Sequence, residues 1–527
     1  MSGDERVALA DMPADPSNEP SNVQSPQASS PYTLTPDTST PLPTPEAGSA
    51  AHNQAVVSGV LWQGSLRWLA QVLSWSATIV IARKLSPEDY GIVGSATVLV
   101  VLLTVVTEGG IGRSLVGRRE RDDVVLRQAH GASIALGLAL AVLMLLAAYP
   151  LSRFYGEPRV APMIAVLSLV VVFSGLNAIP IALMQQRLEY RRLAAVDFAR
   201  AIVQATVVMT GALLGFGAWA LATGLLAGQF TAVLLARRLS KIQPLRPTRL
   251  RLGPTVHYAR YLVTGSLAWS LYSSADFAVV GRVAGIVALG YYQFAWNVAQ
   301  LPGEKLGNVL QSVVGPFFGT IGGDHKSLRH YFLLLSELLV SVMLPVLTGF
   351  ALVAHIAVPL LFGDKWLPTI PIMQILVMSS AVASLSMLSH HVLIATGFAA
   401  VSTRVSVWAA LVMPIAFYLA ARFSGILAVA GVWLIAQPVL TFVALTNVRR
   451  AVQLPIRTYL VNLRAPAVSS VLMAGVVVSV GSMLTSAPPI AKLILMCAAG
   501  ALAYMAAFLL LYRNRLTAFV TVWRSRA

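Results

Sequence analysis

Residues 288–311 read ALGYYQFAWNVAQLPGEKLGNVLQ. Within this run Gln293, Asn297, Gln300, Glu304, Asn308 and Gln311 follow one another at spacings of 4, 3, 4, 4 and 3. Such spacings put all six on one face of a helix. Leu289, Phe294, Val298, Leu301 and Leu306 fill the other faces. The preceding segment, which with this one makes up Gly265–Gln311, adds Tyr272, Ser273 and Asp276 on adjoining turns. Both segments are apolar enough for a bilayer, where polar groups are costly unless they face other helices or water. The stripe is therefore a cavity wall or a polar contact between helices. The default that intramembrane ionisable groups are functional favours the cavity.

The whole chain has the composition that such a segment needs. Of its 527 residues, 57% are hydrophobic and 11% charged, against about 25% charged in soluble domains. The mean hydropathy is +0.73. This is an all-α polytopic membrane protein. The lone cysteine, Cys497, excludes a disulfide framework and any cysteine-based metal site. It reads as a small hydrophobe in an apolar helix.

A net charge of +17 is no sign of nucleic acid binding, because the charge is divided. Residues 1–52 hold one basic residue, Arg6, and seven acidic ones. This stretch is rich in Pro, Ser and Thr without apolar periodicity, and is expected to be a disordered cytoplasmic tail. Its early acids and missing apolar core argue against a cleaved signal peptide. About fourteen apolar segments follow, near 58–82, 91–112, 129–149, 160–184, 196–215, 217–236, 260–281, 288–314, 331–354, 371–395, 402–421, 425–446, 465–485 and 490–512. Most reach the roughly 20 residues that cross about 30 Å of hydrocarbon. With the N-terminus inside, the inward loops and C-terminal tail hold 27 Lys and Arg and the outward loops eight. That asymmetry predicts cytoplasmic N- and C-termini.

The densest basic loop, 237–260, divides the chain. The expected organisation is a bundle over 53–236, a linker over 237–260, a second bundle over 261–447, and two more helices with a cytoplasmic tail over 448–527. An internal repeat agrees: Arg83-x7-Gly91 closes the first hairpin and Arg282-x7-Gly290 the seventh. Ser65-Leu66-Arg67-Trp68 resembles Ser266-Leu267-Ala268-Trp269. Six spans in each half make the repeats parallel, related by an axis along the membrane normal.

The first helix carries a stripe of its own: Gln63, Arg67, Gln71, Ser74 and Thr78, spaced 4, 4, 3 and 4. Arg67 either snorkels to the interface or lies on a polar face with its Gln neighbours. Thr97, Thr104 and Glu108 form a sparser stripe on the second helix. Helices one, two, seven and eight are thus expected to face one central space. Glu337 is a further candidate for it. Asp197 and Arg200 read as a solvated pair, His390 and His391 as interfacial side chains, and Trp366 as part of the aromatic belt. No Walker lysine loop, Ser/His/Asp arrangement or acidic metal cluster is present, so ATPase and hydrolase chemistry have no residues to stand on. No cofactor is expected.

Several stretches resemble the polysaccharide flippases of the multidrug/oligosaccharidyl-lipid/polysaccharide superfamily. They are Ala82-Arg83-Lys84-Leu85-Ser86-Pro87-Glu88-Asp89-Tyr90-Gly91, Gln185-Gln186-Arg187-Leu188-Glu189-Tyr190-Arg191-Arg192 and Gly215-Phe216-Gly217-Ala218-Trp219-Ala220-Leu221. Ala275-Asp276-Phe277-Ala278-Val279-Val280-Gly281-Arg282, Leu289-Gly290-Tyr291-Tyr292 and Leu361-Phe362-Gly363-Asp364-Lys365-Trp366 complete the set, in an order running from about 58 to 450. The branch resembled most contains the colanic acid exporter. The resemblance implies two six-helix bundles around a cavity, two appended helices and alternating access. It implies an undecaprenyl-diphosphate-linked oligosaccharide substrate, exchanged for a proton or sodium ion across the bacterial inner membrane. By position, Arg67, Arg282 or Lys305 would pair with the diphosphate. Gln63, Gln71, Gln293, Asn297 and Gln300 would line the sugar path, and Glu304, Asp276 or Glu108 would carry the coupling ion. The expected partners are this substrate, membrane lipid and polysaccharide polymerase or export machinery; the chain is expected to act as a monomer. The rival readings are a multidrug/cation antiporter, which needs acids to dominate the cavity, and a peptidoglycan lipid-precursor flippase. A third is a non-transporting scaffold of a polysaccharide assembly complex, which needs no internal polar stripe.

Overall fold

A computed structural model describes residues 78–108, 122–187, 189–244, 249–300, 325–396, 399–452 and 454–524. Apart from one 3-10 turn, every regular element among them is a helix. These are α1 (the end of the first segment, 78–84), α2 (Pro87–Thr107), α3 (Asp123–Tyr155), α4 (Val160–Gln186), α5 (Tyr190–Leu213) and α6 (Ala218–Ser240). Then come α7 (Arg249–Val283), α8 (286–300), α9 (His325–Phe362), the 3-10 turn Asp364–Trp366 and α10 (Thr369–Ala395). The stretch Ala399–Val452 is two helices, α11 (399–424) and α12 (426–452), broken where Gly425 takes φ +76. Helices α13 (Ile456–Met483) and α14 (Pro489–Arg524) close the chain. Among the described residues each of the fourteen expected segments has a helical counterpart, the first only over 78–84. Ten described helical stretches are long and apolar enough to cross a membrane, and the protein is polytopic.

Several helices outrun their apolar spans. Helix α9 begins at His325, before the span expected from 331, and α13 at Ile456, before 465. Helix α6 runs to Ser240 and α7 starts at Arg249, so the connection between them is shorter than the basic segment 237–260. Basic side chains tolerate these extra turns, because a helix continues past the hydrocarbon edge while their charged heads reach water.

The turns follow local chemistry. Ser86 caps α2: its Oγ accepts from the Asp89 amide at 3.2 Å, and Asp89 Oδ2 accepts from the Ser86 amide at 2.8 Å. Pro87 occupies the first helical position, where no N–H is needed. Asp122 caps α3 by accepting from the Val124 amide at 2.9 Å. The core is apolar, as in a soluble protein, but here much of the surface is apolar as well. Leu146, Ile435, Val471 and Leu502 are each at least 70% exposed, as side chains facing lipid tails are.

Contacts concentrate within α2–α6 and, separately, within α7–α14. In the second group α13 and α14 dock on α9, where Met473, Val477, Met496 and Tyr504 pack against Val353 and Ile356. The Tyr504 hydroxyl donates to the Ser341 carbonyl at 2.7 Å. The two groups meet where α2 crosses α8. A methyl group built on Gly91 would lie 1.9 Å from the Ile286 carbonyl oxygen, and one built on Gly290 1.7 Å from that of Pro87. Only glycine permits backbones this close. The contact is reciprocal, since Pro87 precedes Gly91 by four residues, as Ile286 precedes Gly290. Residue i meeting j while j's equivalent meets i's equivalent is the signature of a two-fold relation. The glycines of the Arg-x7-Gly repeat therefore sit at its centre.

Candidate functional site

The membrane end carrying this crossing also holds the α1–α2, α3–α4, α9–α10 and α7–α8 turns, and it is stitched shut. Arg83 donates from Nε to the Leu361 carbonyl at 2.8 Å and from Nη2 to that of Leu360 at 2.6 Å. It thereby caps the last turn of α9. In return Lys365 Nζ donates to the carbonyls of Arg83 at 2.8 Å and Leu85 at 2.5 Å, and Trp366 Nε1 donates to Ala82 at 2.9 Å. Each helix end thus has its orphan carbonyls satisfied by cations of the other, the sign that helix C-termini favour. Burial lowers the Lys365 ammonium pKa, and Asp89 pulls it partly back.

Trp366 corrects the sequence reading. It is not in an aromatic belt but fully buried. Its ring stacks on Phe294 with centroids 3.9 Å apart, and Tyr90 meets its edge at 5.3 Å. Closing α2 against α8 creates this pocket, so an aromatic side chain in a short loop is drawn into the core.

Beneath the closure lies Asp276 of α7, fully buried. Its Oδ2 accepts from the Tyr292 hydroxyl of α8 at 2.7 Å and from Trp433 Nε1 of α12 at 2.8 Å. Its Oδ1 accepts from the Phe277 amide at 2.9 Å. All three donors are neutral. Among the described residues no cation pairs with this carboxylate. Arg282 lies elsewhere: exposed at the end of α7, its guanidinium 5.6 Å from the centre of the Phe154 ring. A charge held only by neutral donors in a dry interior is poised rather than locked. A proton arriving at Oδ2 needs an acceptor in place of a donor. Tyr292 can supply one by turning its hydroxyl, whereas an indole N–H cannot. Protonation of Asp276 would therefore rearrange the hydrogen bonds that tie α7 to α8 and α12.

The polar stripe of α8 continues from there toward the opposite end. Gln293 lies against α2, where a methyl on Gly94 would come 2.9 Å from its Oε1. Its Nε2 reaches Asn297 Oδ1 at 3.5 Å, and Gln300 Oε1 accepts from Ser380 Oγ of α10 at 3.4 Å. Asn297 is exposed between these two contacts. The stripe thus meets α2 at Gln293 and α10 at Gln300, with Asn297 exposed between them. Glu304 and Lys305 lie outside the described residues, as do Gln63, Arg67 and Gln71. On α2, Thr97 and Thr104 bond to their own helix, at the Val93 and Val101 carbonyls. Glu108 accepts from Ser174 of α4 at 3.0 Å, and Ser174 in turn meets Thr107 at 2.5 Å. Glu108 is separate from the Asp276 centre. Asp197 and Arg200 form the expected surface pair at 3.7 Å.

Sequence reasoning missed Tyr292 and Trp433. A signal existed: a carboxylate in an apolar helix needs donors, and both are donor-bearing aromatics in apolar segments. Their distances along the chain, 16 and 157 residues, hid the match.

The family described as Polysaccharide biosynthesis protein matches residues 80–371. The chain is 25% identical over 327 residues to the Lipopolysaccharide biosynthesis protein WzxC of Escherichia coli (strain K12), covering 61% of this chain and 66% of that one. It is 24% identical over 304 residues to the Succinoglycan biosynthesis transport protein ExoT of Rhizobium meliloti (strain 1021), covering 58% and 62%. These matches span slightly less than two thirds of either relative. Among solved structures, the Lipid II flippase MurJ in an inward closed conformation superposes with a TM-score of 0.72 at 14% identity, over 86% of this chain and 100% of that one. An inward-facing multidrug resistance MATE family transporter of the MOP superfamily gives 0.57 at 17% identity, over 72% and 94%. At these identities the structures speak to fold alone.

Proposed function

This chain belongs to the polysaccharide biosynthesis protein family, and from that premise we propose that it is a flippase rather than an enzyme. It translocates a lipid-diphosphate-linked oligosaccharide across the bacterial inner membrane. The observation carrying this reading is the α8 stripe, a row of neutral hydrogen-bonding side chains that meets α2 and α10 and leaves Asn297 exposed between them. Neutral amides suit sugar hydroxyls, as they can donate and accept together. Arg67 and Lys305 are the proposed partners of the diphosphate, with Arg282 a further cation at the sealed end. Asp276 is the proposed coupling site for a proton or sodium ion, with Glu304 and Glu108 as the other acids of the path. A scaffold has no use for such an internal polar stripe, and an antiporter of organic cations has no use for these arginines.

Alternating access on this reading breaks the α2–α8 crossing and reforms it. The reciprocal glycine contact supports two pseudo-symmetric bundles, 53–236 and 261–447, joined through 237–260 and followed by 448–527. The asymmetry of basic residues supports cytoplasmic termini, which places the sealed end outside. The test uses the purified protein in liposomes loaded with a fluorescent undecaprenyl-diphosphate oligosaccharide. A membrane-impermeant quencher reads how much label has changed leaflet. Transfer well above protein-free liposomes is expected, and transfer equal to theirs overturns the proposal.

A further inference from the structure

A cavity of about 580 Å³ opens at the end of α2–α6 opposite the stitched one, walled by the first turn of α3 and the last turns of α4 and α6. Arg127, Arg187, Arg192 and Lys241 line it, with Asp123 the one lining carboxylate. Leu126, Leu183, Leu239 and Ile242 give it an apolar wall. Arg192 is held by Glu189 at 2.8 Å, and Arg127 Nε donates to the Gln243 carbonyl at 3.3 Å. Arg187 and Lys241 have no carboxylate partner among the described residues.

Two features separate this site from an ordinary basic loop. Ser240 lines the cavity, is 8% exposed, and its Oγ has no hydrogen-bond partner within the protein. Buried hydroxyls are nearly always satisfied; this one, its oxygen covered by protein like that of Ser270, sits in the floor of the cavity. Lys241 has φ +54, the sole described non-glycine in the left-handed region. Glycine is the favoured residue at such a helix end, yet the chain places a cation there. Cations at helix C-termini and in inward loops have general uses, but neither use needs a walled cavity or an unsatisfied hydroxyl.

We propose that this cavity binds the phosphate headgroup of an anionic phospholipid, with Arg187 and Lys241 around the phosphate and acyl carbons along the leucines. Basic pockets between helix ends at the membrane surface are suited to such headgroups. The apolar wall favours a lipid over free phosphate. The transported lipid-linked saccharide is the poorer occupant, because every lining residue belongs to α3–α6 and their connections and none to the α2–α8 crossing.

The full-length protein in detergent, titrated with cardiolipin and followed by native mass spectrometry and thermal melting, tests this. Lys241→Gly is the sharpest variant: it removes the charge while easing the backbone, so reduced binding cannot be laid to misfolding. With Arg187→Gln it should weaken cardiolipin binding about thirtyfold, at roughly one kcal/mol per cation lost. Phosphatidylcholine should give no stabilisation, and inorganic phosphate should not displace cardiolipin. Equal cardiolipin binding by wild type and variant would mean annular lipid only and overturn the site. Displacement by millimolar phosphate would make it a free-anion site and overturn the lipid assignment. Displacement by the undecaprenyl-diphosphate saccharide alone would assign it to the substrate instead.

Discussion

The two ends of the molecule solve the same problem in opposite ways. At the sealed end, loop cations are spent on protein. Arg83 closes α9, Lys365 closes α1, and two glycine backbones leave no room between α2 and α8. At the other end the helix termini carry more cations, and Arg187 and Lys241 line open space. The lesson is that counting basic residues gives topology, while function depends on whether each cation has an acceptor within the protein. An end whose cations Arg83 and Lys365 bridge its hairpins is held closed. An end with donors to spare is where the proposed anionic lipid would bind.

The contrast breaks most readily at the crossing. Gly290→Ala sets a methyl against the Pro87 carbonyl, a backbone atom that cannot swing aside. The expected loss is on the order of 3 kcal/mol, the upper range for overpacking. It should appear as a lower melting temperature in detergent, with increased thiol labelling at the sealed end. The same change at Gly425, where φ is +76 but nothing stands within 4 Å, should cost less and leave that labelling unchanged.

A smaller effect is expected below the seal. Trp433→Phe removes one of two donors to Asp276 Oδ2, worth about 2 kcal/mol for a hydrogen bond to a charged group. In an Asp276→Asn background the same substitution should cost less, and the difference is the coupling energy of the pair. Additive losses would show that Trp433 serves packing alone.

Much of this was legible in the sequence. The helix count followed from apolar length and the central glycines from the Arg-x7-Gly repeat, whereas α2 starts at Pro87, ahead of the segment expected from 91. Yet the repeat misleads at its arginines. Arg83 caps a distant helix while Arg282 lies over Phe154. Symmetry here preserves backbone contact and lets side chains diverge. Asp276 stood out as an acid in an apolar helix, but its donors did not. Periodicity reports which face a residue takes, and says nothing of which helix lies opposite. Trp366 was misread for the same reason: its burial depends on Tyr90 and Phe294, which arrive from two other hairpins.

The smallest expected effect is at the rim of the sealed end, where Arg159 pairs with Glu88 and, at 2.8 Å, with Glu157. Arg159 holds the Glu157 carboxyl below its usual range. The pair's contribution is therefore complete above the ordinary glutamate pKa and is lost as pH falls through the lowered one. Exposed pairs contribute less than about 1 kcal/mol. Glu157→Gln should accordingly leave neutral stability nearly unchanged and flatten only the acid limb of a melting-temperature profile.

Opening of the sealed end is the step on which the proposed transport depends. In a Cys497→Ala background, Leu85→Cys and Lys365→Cys place thiols on the two hairpins that Lys365 joins. A short, reducible thiol cross-linker would tie them together in liposomes carrying the lipid-linked oligosaccharide. Translocation should stop on cross-linking and return on reduction. A cross-linked protein that still moves substrate at its uncross-linked rate would contradict the account.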